Sequence, residues 1–427
     1  MKKALNTLIE GYSPLKLRDF RIYISGQAVS MLGTWMQATA QSWVVWQLSH
    51  SELKLGIVAM LGFIPFIFFG PYAGVWADRI NRRRLLIWTQ VSAMFLAILF
   101  AVLVQIDLIQ IWQIYILSFL LGLVNTLDFP AQSAFIGDLS GMENVRKAIV
   151  INGAIVQVSR MAGPALAGWI IGALGVAPAF WINGISFIAV IASLLVIKSS
   201  QVIHPHQGKP LSDFMDGLRF VRNNPIIMDL MILTLILTCF AFSAMQIMPA
   251  IATDVLHGNA ELLGLLMGAS GAGALVGSTL IVPMTHKVKK LGLICVISVL
   301  WSGFWYIVFA TSRNSYISMA CLFLASLLIP IMFAVTNGLI QVTAPSHMRA
   351  RVLSALIMVV FGVQPFAALF IGYTAHKLGS ATAVLINGSL MIVGALILLI
   401  LRNELRTWEA SHVASKGAAK IKLPKSL

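Results

Sequence analysis

The chain has 427 residues, 59% of them hydrophobic and 11% charged, with 30 Lys and Arg against 15 Asp and Glu. Soluble domains carry about 25% charged residues, so this balance excludes an ordinary water-soluble enzyme or binding module. The net charge of +15 then has to be explained by where the cations stand along the chain.

Twelve apolar runs follow one another near residues 22–47, 54–76, 85–106, 110–137, 147–173, 177–197, 227–253, 261–285, 291–311, 315–341, 352–375 and 381–401. Each is long enough, as helix, to cross a hydrocarbon core of ~30 Å, and none shows the charged face of a helix packed in water. The first is too long for the apolar core of a leader, and no cleavage site follows it. The expected fold is therefore an all-α polytopic membrane protein. With the amino terminus in the cytoplasm, 26 of the 30 Lys and Arg fall in cytoplasmic segments, and only Lys54, Arg313 and Lys377 fall outside. That bias is the positive-inside signal. It places both termini in the cytoplasm and removes nucleic acid as the reason for the charge. Cys239, Cys295 and Cys321 lie within runs and read as buried thiols without a disulfide framework.

An internal repeat sets the organisation. Leu174 to Gly184 reads LGVAPAFWING and Leu378 to Gly388 reads LGSATAVLING, identical at seven of eleven positions at an offset of 204. The same shift carries Gly168 onto Gly372. A parallel duplication of six helices follows, with Gly175 and Gly379 as helix stops. The expected units are an amino-terminal half over 1–197, a linker over 198–225, a carboxyl-terminal half over 226–402 and a basic tail over 403–427. In the linker, Ser212 to Asn223 reads as a short amphipathic helix turning Phe214, Leu218 and Val221 to the membrane surface.

Polar residues inside the runs are few. In run one, Gln27, Ser30, Thr34, Gln37 and Gln41 step by three and four and fall within an arc of about 80°. Lipid would penalise that stripe, so it faces a cavity or another helix. Asp128 interrupts run four, and Arg160 lies within run five. Intramembrane ionisable groups meet a partner or a watery path. Two readings stay open for these: a structural ion pair, or a carboxylate that exchanges a proton while Arg160 balances it. The glycines of GASGAG, Gly268 to Gly273, lack the strand and Lys of a nucleotide loop, so they belong to small-xxx-small helix contact. His204 and His206 have no partners for a metal site. No cofactor and no metal are expected.

The most specific motif is GVWADRINRRR, Gly74 to Arg84, between runs two and three. Positive-inside bias accounts for its arginines but not for Asp78 beside them. The stretch resembles the Gly-x-x-x-Asp-Arg-x-x-Arg-Arg signature of the major facilitator superfamily at Gly74, Asp78, Arg79, Arg82 and Arg83. Run number, central loop and half repeat extend the resemblance over the whole chain. It implies two six-helix halves working by alternating access, and a cytoplasmic gate in which Asp138 supplies an acid for an arginine. The matching loop of the second half, Gly277 to Lys290, has no carboxylate. Run five carries SRMAGPALAG, Ser159 to Gly168, which resembles the antiporter motif of facilitator exporters. Gly163, Pro164 and Gly168 match, while Ser159 and Ala167 stand where glycines are usual. Together with LDFPAQSAFIGDL and AFWINGISF, this is similar to the bacterial branch of siderophore (enterobactin-type) and multidrug exporters.

The resemblance implies a secondary exporter of a bulky amphipathic small molecule, proton-coupled, monomeric and set in the bacterial inner membrane. It makes run one a wall of the central cavity, joined by Asn337, Gln341 and Gln364, with Trp35, Trp43, Phe242, Met245 and Met248 as apolar lining. The family's arginine in run four falls at Ser118, which leaves Arg160 to serve with Asp128. An importer or a lysolipid flippase of the same fold, or an intramembrane enzyme or receptor, are the alternatives.

Overall fold

The computed structural model describes residues 13–197, 210–288, 290–402 and 405, and these are helical, with no strand among the described residues. The first half holds α1 (Arg18–Ser49), α2 (Glu52–Arg79), α3 (Arg82–Gln105), α4 (Ile111–Gly141), α5 (Glu143–Leu174) and α6 (Ala177–Val196). A linker helix, α7 (Pro210–Arg222), leads to α8 (Pro225–Val255), α9 (Ala260–Thr285), α10 (Leu291–Thr311), α11 (Ser315–Thr343), α12 (Arg351–Leu378) and α13 (Ser380–Leu401). Eleven of these helices are apolar and long enough to span a membrane. The remaining long one, α1, has 32 residues and ample length; its polar stripe dilutes its hydropathy. Side-chain oxygens at Ser51, Asn81, Asn259 and Asn314 accept backbone N–H bonds at the starts of α2, α3, α9 and α11, which lets the turns between spans stay short.

The repeat at offset 204 marks equivalent structural positions. Gly175 ends α5 at φ 85° and Gly379 ends α12 at φ 87°, a conformation in which a side chain would be strained. Asn183 of α6 donates through Nδ2 to Gln37 Oε1 of α1 at 2.6 Å. Its counterpart Asn387 of α13 donates to the Phe240 carbonyl at 2.9 Å and reaches Ser243 Oγ at 3.1 Å, both on α8. The repeated spelling is therefore one device used twice: a buried amide that ties the sixth helix of each half to its first.

Two close seams join the halves at the end of the bundle away from the termini. On α5 and α9, a Cβ on Gly168 would stand 2.6 Å from the Ala260 carbonyl oxygen and 3.0 Å from Gly264 Cα. On α2 and α12, a Cβ on Gly372 would stand 2.8 Å from the Glu52 carbonyl oxygen and 3.0 Å from Gly56 Cα. Real side chains do not fit at such distances, so glycine is what lets the backbones meet. Glu52 adds a polar clasp to the second seam, accepting from Ser380 Oγ at 3.1 Å and lying 3.8 Å from His376 Nδ1. On α9, Gly268 and Gly271 continue the contact with α5, whereas Gly273 and Gly277 turn to the backbone of α11.

The linker helix departs from expectation. Val221 is buried, and Phe214 and Leu218 pack on the protein core. Gly217 lies against the Arg351 backbone and Asp216 Oδ2 is 2.9 Å from Arg351 Nη1. The apolar face of α7 thus covers the start of α12 instead of the membrane surface. Residues 198–209 and the expected tail over 403–427, apart from Leu405, lie outside the described residues.

Topology carries a direct expectation: reporter fusions within 198–209 and at the carboxyl end both read cytoplasmic. A periplasmic reading at the carboxyl end would require an odd number of spans and would break the correspondence between the halves.

Candidate functional site

At the termini end, α3 begins with the arginines of the Gly74–Arg84 motif. Arg82 Nη1 meets both oxygens of Asp138 on α4, at 2.7 and 2.9 Å. Arg83 donates through Nε to the Leu194 carbonyl at 2.5 Å and through Nη2 to the Leu195 carbonyl at 2.8 Å. The first contact holds α3 to α4, and the second satisfies carbonyls left open where α6 ends. The side chains of Gly74, Asp78 and Arg79 lie outside the described residues. The Arg82–Asp138 pair is partly exposed, with side-chain exposures of 19% and 28%, so its worth to stability is small, about 0–1 kcal/mol. Its expected effect is on transport: Asp138→Arg should lower the turnover rate, and combining it with Arg82→Asp should restore at least half of the loss. Failure of the double swap to recover any rate at normal expression would separate the pair from gating.

Asp128 sits in α4 with two neutral partners from α3: Thr89 Oγ1 at 2.5 Å and Gln90 Nε2 at 2.9 Å, both donating to Oδ1. Arg160 lies elsewhere. Its guanidinium carbon is 5.8 Å from the Trp35 ring centroid on α1 and 5.3 Å from the Phe242 ring centroid on α8. Among the described residues no ion pair joins the two, so the expected Asp128–Arg160 pair does not form. The physical reason is azimuth. Lying on neighbouring runs does not bring side chains together: Asp128 turns to α3 inside its own half, while Arg160 lies between Trp35 of α1 and Phe242 of α8. Cation–π contacts contribute about 0.5–2 kcal/mol each, against about 2.5–3.5 kcal/mol for an arginine at mid-membrane. The two rings make the position tolerable and leave little surplus.

The stripe on α1 divides. Gln37 is engaged by Asn183, and Gln41 donates to Ser118 Oγ of α4 at 2.8 Å. Thr34 is exposed and bonds its own helix at the Ser30 carbonyl. Gln27 and Ser30 are buried, and Gln27 Oε1 has no hydrogen-bond partner among the described residues. In the second half, Asn337 donates to the Phe333 carbonyl of its own helix, Gln341 is exposed, and Gln364 is buried with Nε2 3.3 Å from the Thr238 carbonyl. Trp43 and Met248, named as lining, are buried in the core.

The antiporter-like stretch of α5 works by packing. Gly163 is the seat of the Trp35 Cβ, since a Cβ of its own would lie 2.6 Å from it, and Gly168 meets Gly264 at the seam already described. Pro164 presents its carbonyl to Gly264, and Ser159 is buried. Two features escape sequence reasoning. Phe361 of α12 stacks on Phe66 of α2 with centroids 5.0 Å apart and meets Phe129 of α4 edge-on at 5.3 Å, bridging the halves. Asp229, buried near the start of α8, lies 3.3 Å from Arg402 Nε, a further ionisable residue within a run, for which position 229 inside an apolar run was the available signal.

Two matched six-helix halves, joined at glycine seams and lined by a few polar side chains, define a membrane transporter of the major facilitator kind. The chain belongs to the transmembrane secretion effector family, whose profile matches residues 9–425. It is similar to the staphyloferrin A transporter of Staphylococcus aureus, 25% identical over 90% of this chain and 97% of that protein. It is also similar to the enterobactin exporter EntS of Salmonella paratyphi A, 25% identical over 93% and 96%. In fold it resembles the crystal structure of a bacterial homologue of the human lysosomal transporter Spinster, inward-facing and unoccupied, with a TM-score of 0.67 at 12% identity over 96% of this chain and 98% of that one. The relatives are transporters, and the enzyme and receptor alternatives fall away.

Proposed function

We propose that this chain is a proton-coupled exporter of bulky amphipathic small molecules, siderophore-like or drug-like, acting as a monomer in the bacterial cytoplasmic membrane. Export as the direction is supported by similarity over nine-tenths of the chain to the siderophore transporters named above, and by Gly163, Pro164 and Gly168 in α5. Coupling rests chiefly on one observation: a carboxylate within the membrane, Asp128, whose hydrogen-bond partners are a hydroxyl and an amide. Neutral donors serve a carboxylate without committing it to the charged state as a cation would. Asp128 can therefore take up a proton when exposed to the acidic side and release it to the other. The seams at Gly168–Gly264 and Gly56–Gly372 close one end of the path. With the termini in the cytoplasm that end is the outer one. At the inner end the gate consists of Arg82, Asp138 and the neighbouring Gly74, Asp78 and Arg79. Gln27, Ser30, Thr34, Asn337, Gln341 and Gln364 supply polar contacts for cargo, while Gln37 and Gln41 hold α1 in place.

The test uses everted membrane vesicles with an imposed pH gradient, acid inside, and two probes: iron-free enterobactin and ethidium. Accumulation of at least one probe that collapses when nigericin removes the gradient is the expected result. Accumulation in right-side-out vesicles under an inward proton gradient would instead make the chain an importer.

A further inference from the structure

We propose that Arg160 is the seat for an anionic group of the cargo, so that the molecules carried are amphipaths bearing a carboxylate or similar anion beside a planar apolar ring. This deepens the exporter reading and rests on it. Arg160 is a half-buried guanidinium inside the bundle. Among the described residues it has neither a carboxylate within ion-pair distance nor a hydrogen-bond acceptor; its neighbours are the rings of Trp35 and Phe242 and the buried phenol of Tyr306, whose hydroxyl is turned to the Ala241 carbonyl. Cation–π contact uses the charge and the ring faces but none of the five N–H donors. A guanidinium in this setting is a fork with its tines free, and the group that fits a planar fork is a carboxylate, met by two parallel hydrogen bonds.

The surroundings are built to hold this side chain. A Cβ on Gly163 would collide with the Trp35 Cβ, and one on Gly271 would lie 2.6 Å from the Arg160 carbonyl oxygen. The glycines on α5 and α9 thus press Arg160 between α1 and the second half. Phe242 is itself set by its neighbours: its ring stacks on Phe333 at 6.1 Å, and the Tyr306 hydroxyl donates to the adjacent Ala241 carbonyl at 3.0 Å. Trp35 belongs to the first half and Phe242 to the second, so the cation stands where the halves move against each other. An anion received there would contact both, which is where cargo must act to influence alternation. The rings flanking the cation offer the apolar companion surface. A cationic cargo would meet the same charge unscreened by any protein carboxylate, so the site discriminates by sign.

The experiment measures equilibrium binding to the purified full-length protein in nanodiscs, without any gradient, using three probes with one ring system: 1-naphthoate, 1-naphthamide and 1-naphthylmethylammonium. Wild type should bind naphthoate on the order of ten-fold more tightly than the amide, as expected for a charge-assisted pair, and the ammonium most weakly. Arg160→Gln should bring naphthoate down to the level of the amide while leaving the amide unchanged within two-fold. Arg160→Lys should keep the order with a smaller margin. If Arg160→Gln does not yield a monodisperse protein, the wild-type charge series and the lysine variant decide. Equal binding of acid and amide by wild type, or a preference that survives in Arg160→Gln, overturns the proposal. Chloride that abolishes naphthoate binding at concentrations well below a Debye-screening effect would assign the seat to an inorganic anion and overturn the cargo claim. Because no gradient is applied, a charge preference lost with Arg160 stands even if vesicles show no export. Export by a protein indifferent to probe charge sinks this proposal alone.

Discussion

Asp128→Asn is expected to abolish pH-driven accumulation while leaving the protein folded and able to equilibrate cargo. Asparagine keeps the size of the side chain, and its Oδ1 can still accept from Thr89 Oγ1 and Gln90 Nε2, the partners that Asp128 Oδ1 has now. Only the exchangeable proton is lost. In everted vesicles with a gradient of about one pH unit, each proton is worth about 1.4 kcal/mol. A one-for-one exchanger then sustains roughly ten-fold accumulation, and the variant should hold the inside and outside concentrations equal at any gradient. Preloaded vesicles should still release cargo downhill. Wild-type accumulation by the variant would remove Asp128 from coupling, and loss of downhill movement as well would make it a residue of the path itself.

How much of this was legible in the sequence depends on what kind of constraint each residue carries. The repeat was legible because its residues answer to the backbone: Gly175 and Gly379 both need positive φ, and Asn183 and Asn387 both fill one buried position. A local requirement imposed twice leaves the same letters twice. The Arg82–Asp138 pair came through resemblance, since 56 residues separate the partners and nothing in the chain's own spacing joins them. Facing was not legible. The polar stripe on α1 has one angular position, yet α6 takes Gln37 and α4 takes Gln41, so only neighbours decide which amides remain free. The apolar face of α7 has the same pattern whether lipid or α12 covers it. Asp128 and Arg160 each stood out as an ionisable residue within a run, and position along a run carries no azimuth. With 23 phenylalanines in the chain, nothing singled out Phe361 until its ring was seen against Phe66 and Phe129.

The glycine seam between α5 and α9 yields an effect as large as that of Asp128, and of a different kind. Gly168→Ala adds a Cβ that would sit 2.6 Å from the Ala260 carbonyl oxygen and 3.0 Å from Gly264 Cα, both backbone, which cannot swing aside. The methyl is accommodated only if the two helices part. Overpacking of this sort costs about 1–3 kcal/mol, and the cost falls only on states in which the seam is closed. The equilibrium should therefore move towards opening at that end by roughly 5- to 150-fold. Gly172→Ala, one turn further along the same helix, is the control: it is exposed, nothing lies within 4 Å of its Cβ position, and alanine is the better helix former. With Cys239, Cys295 and Cys321 replaced by serine and Ala260→Cys as reporter, a membrane-impermeant maleimide added from the periplasmic side reads the seam directly. Ala260 is 3% exposed, so labelling should be slow in the parent and in Gly172→Ala and at least five-fold faster in Gly168→Ala, with transport falling in step. Equal labelling rates in all three would mean that the halves do not close through this contact, and Gly168 and Gly264 would then be packing residues without a part in alternation.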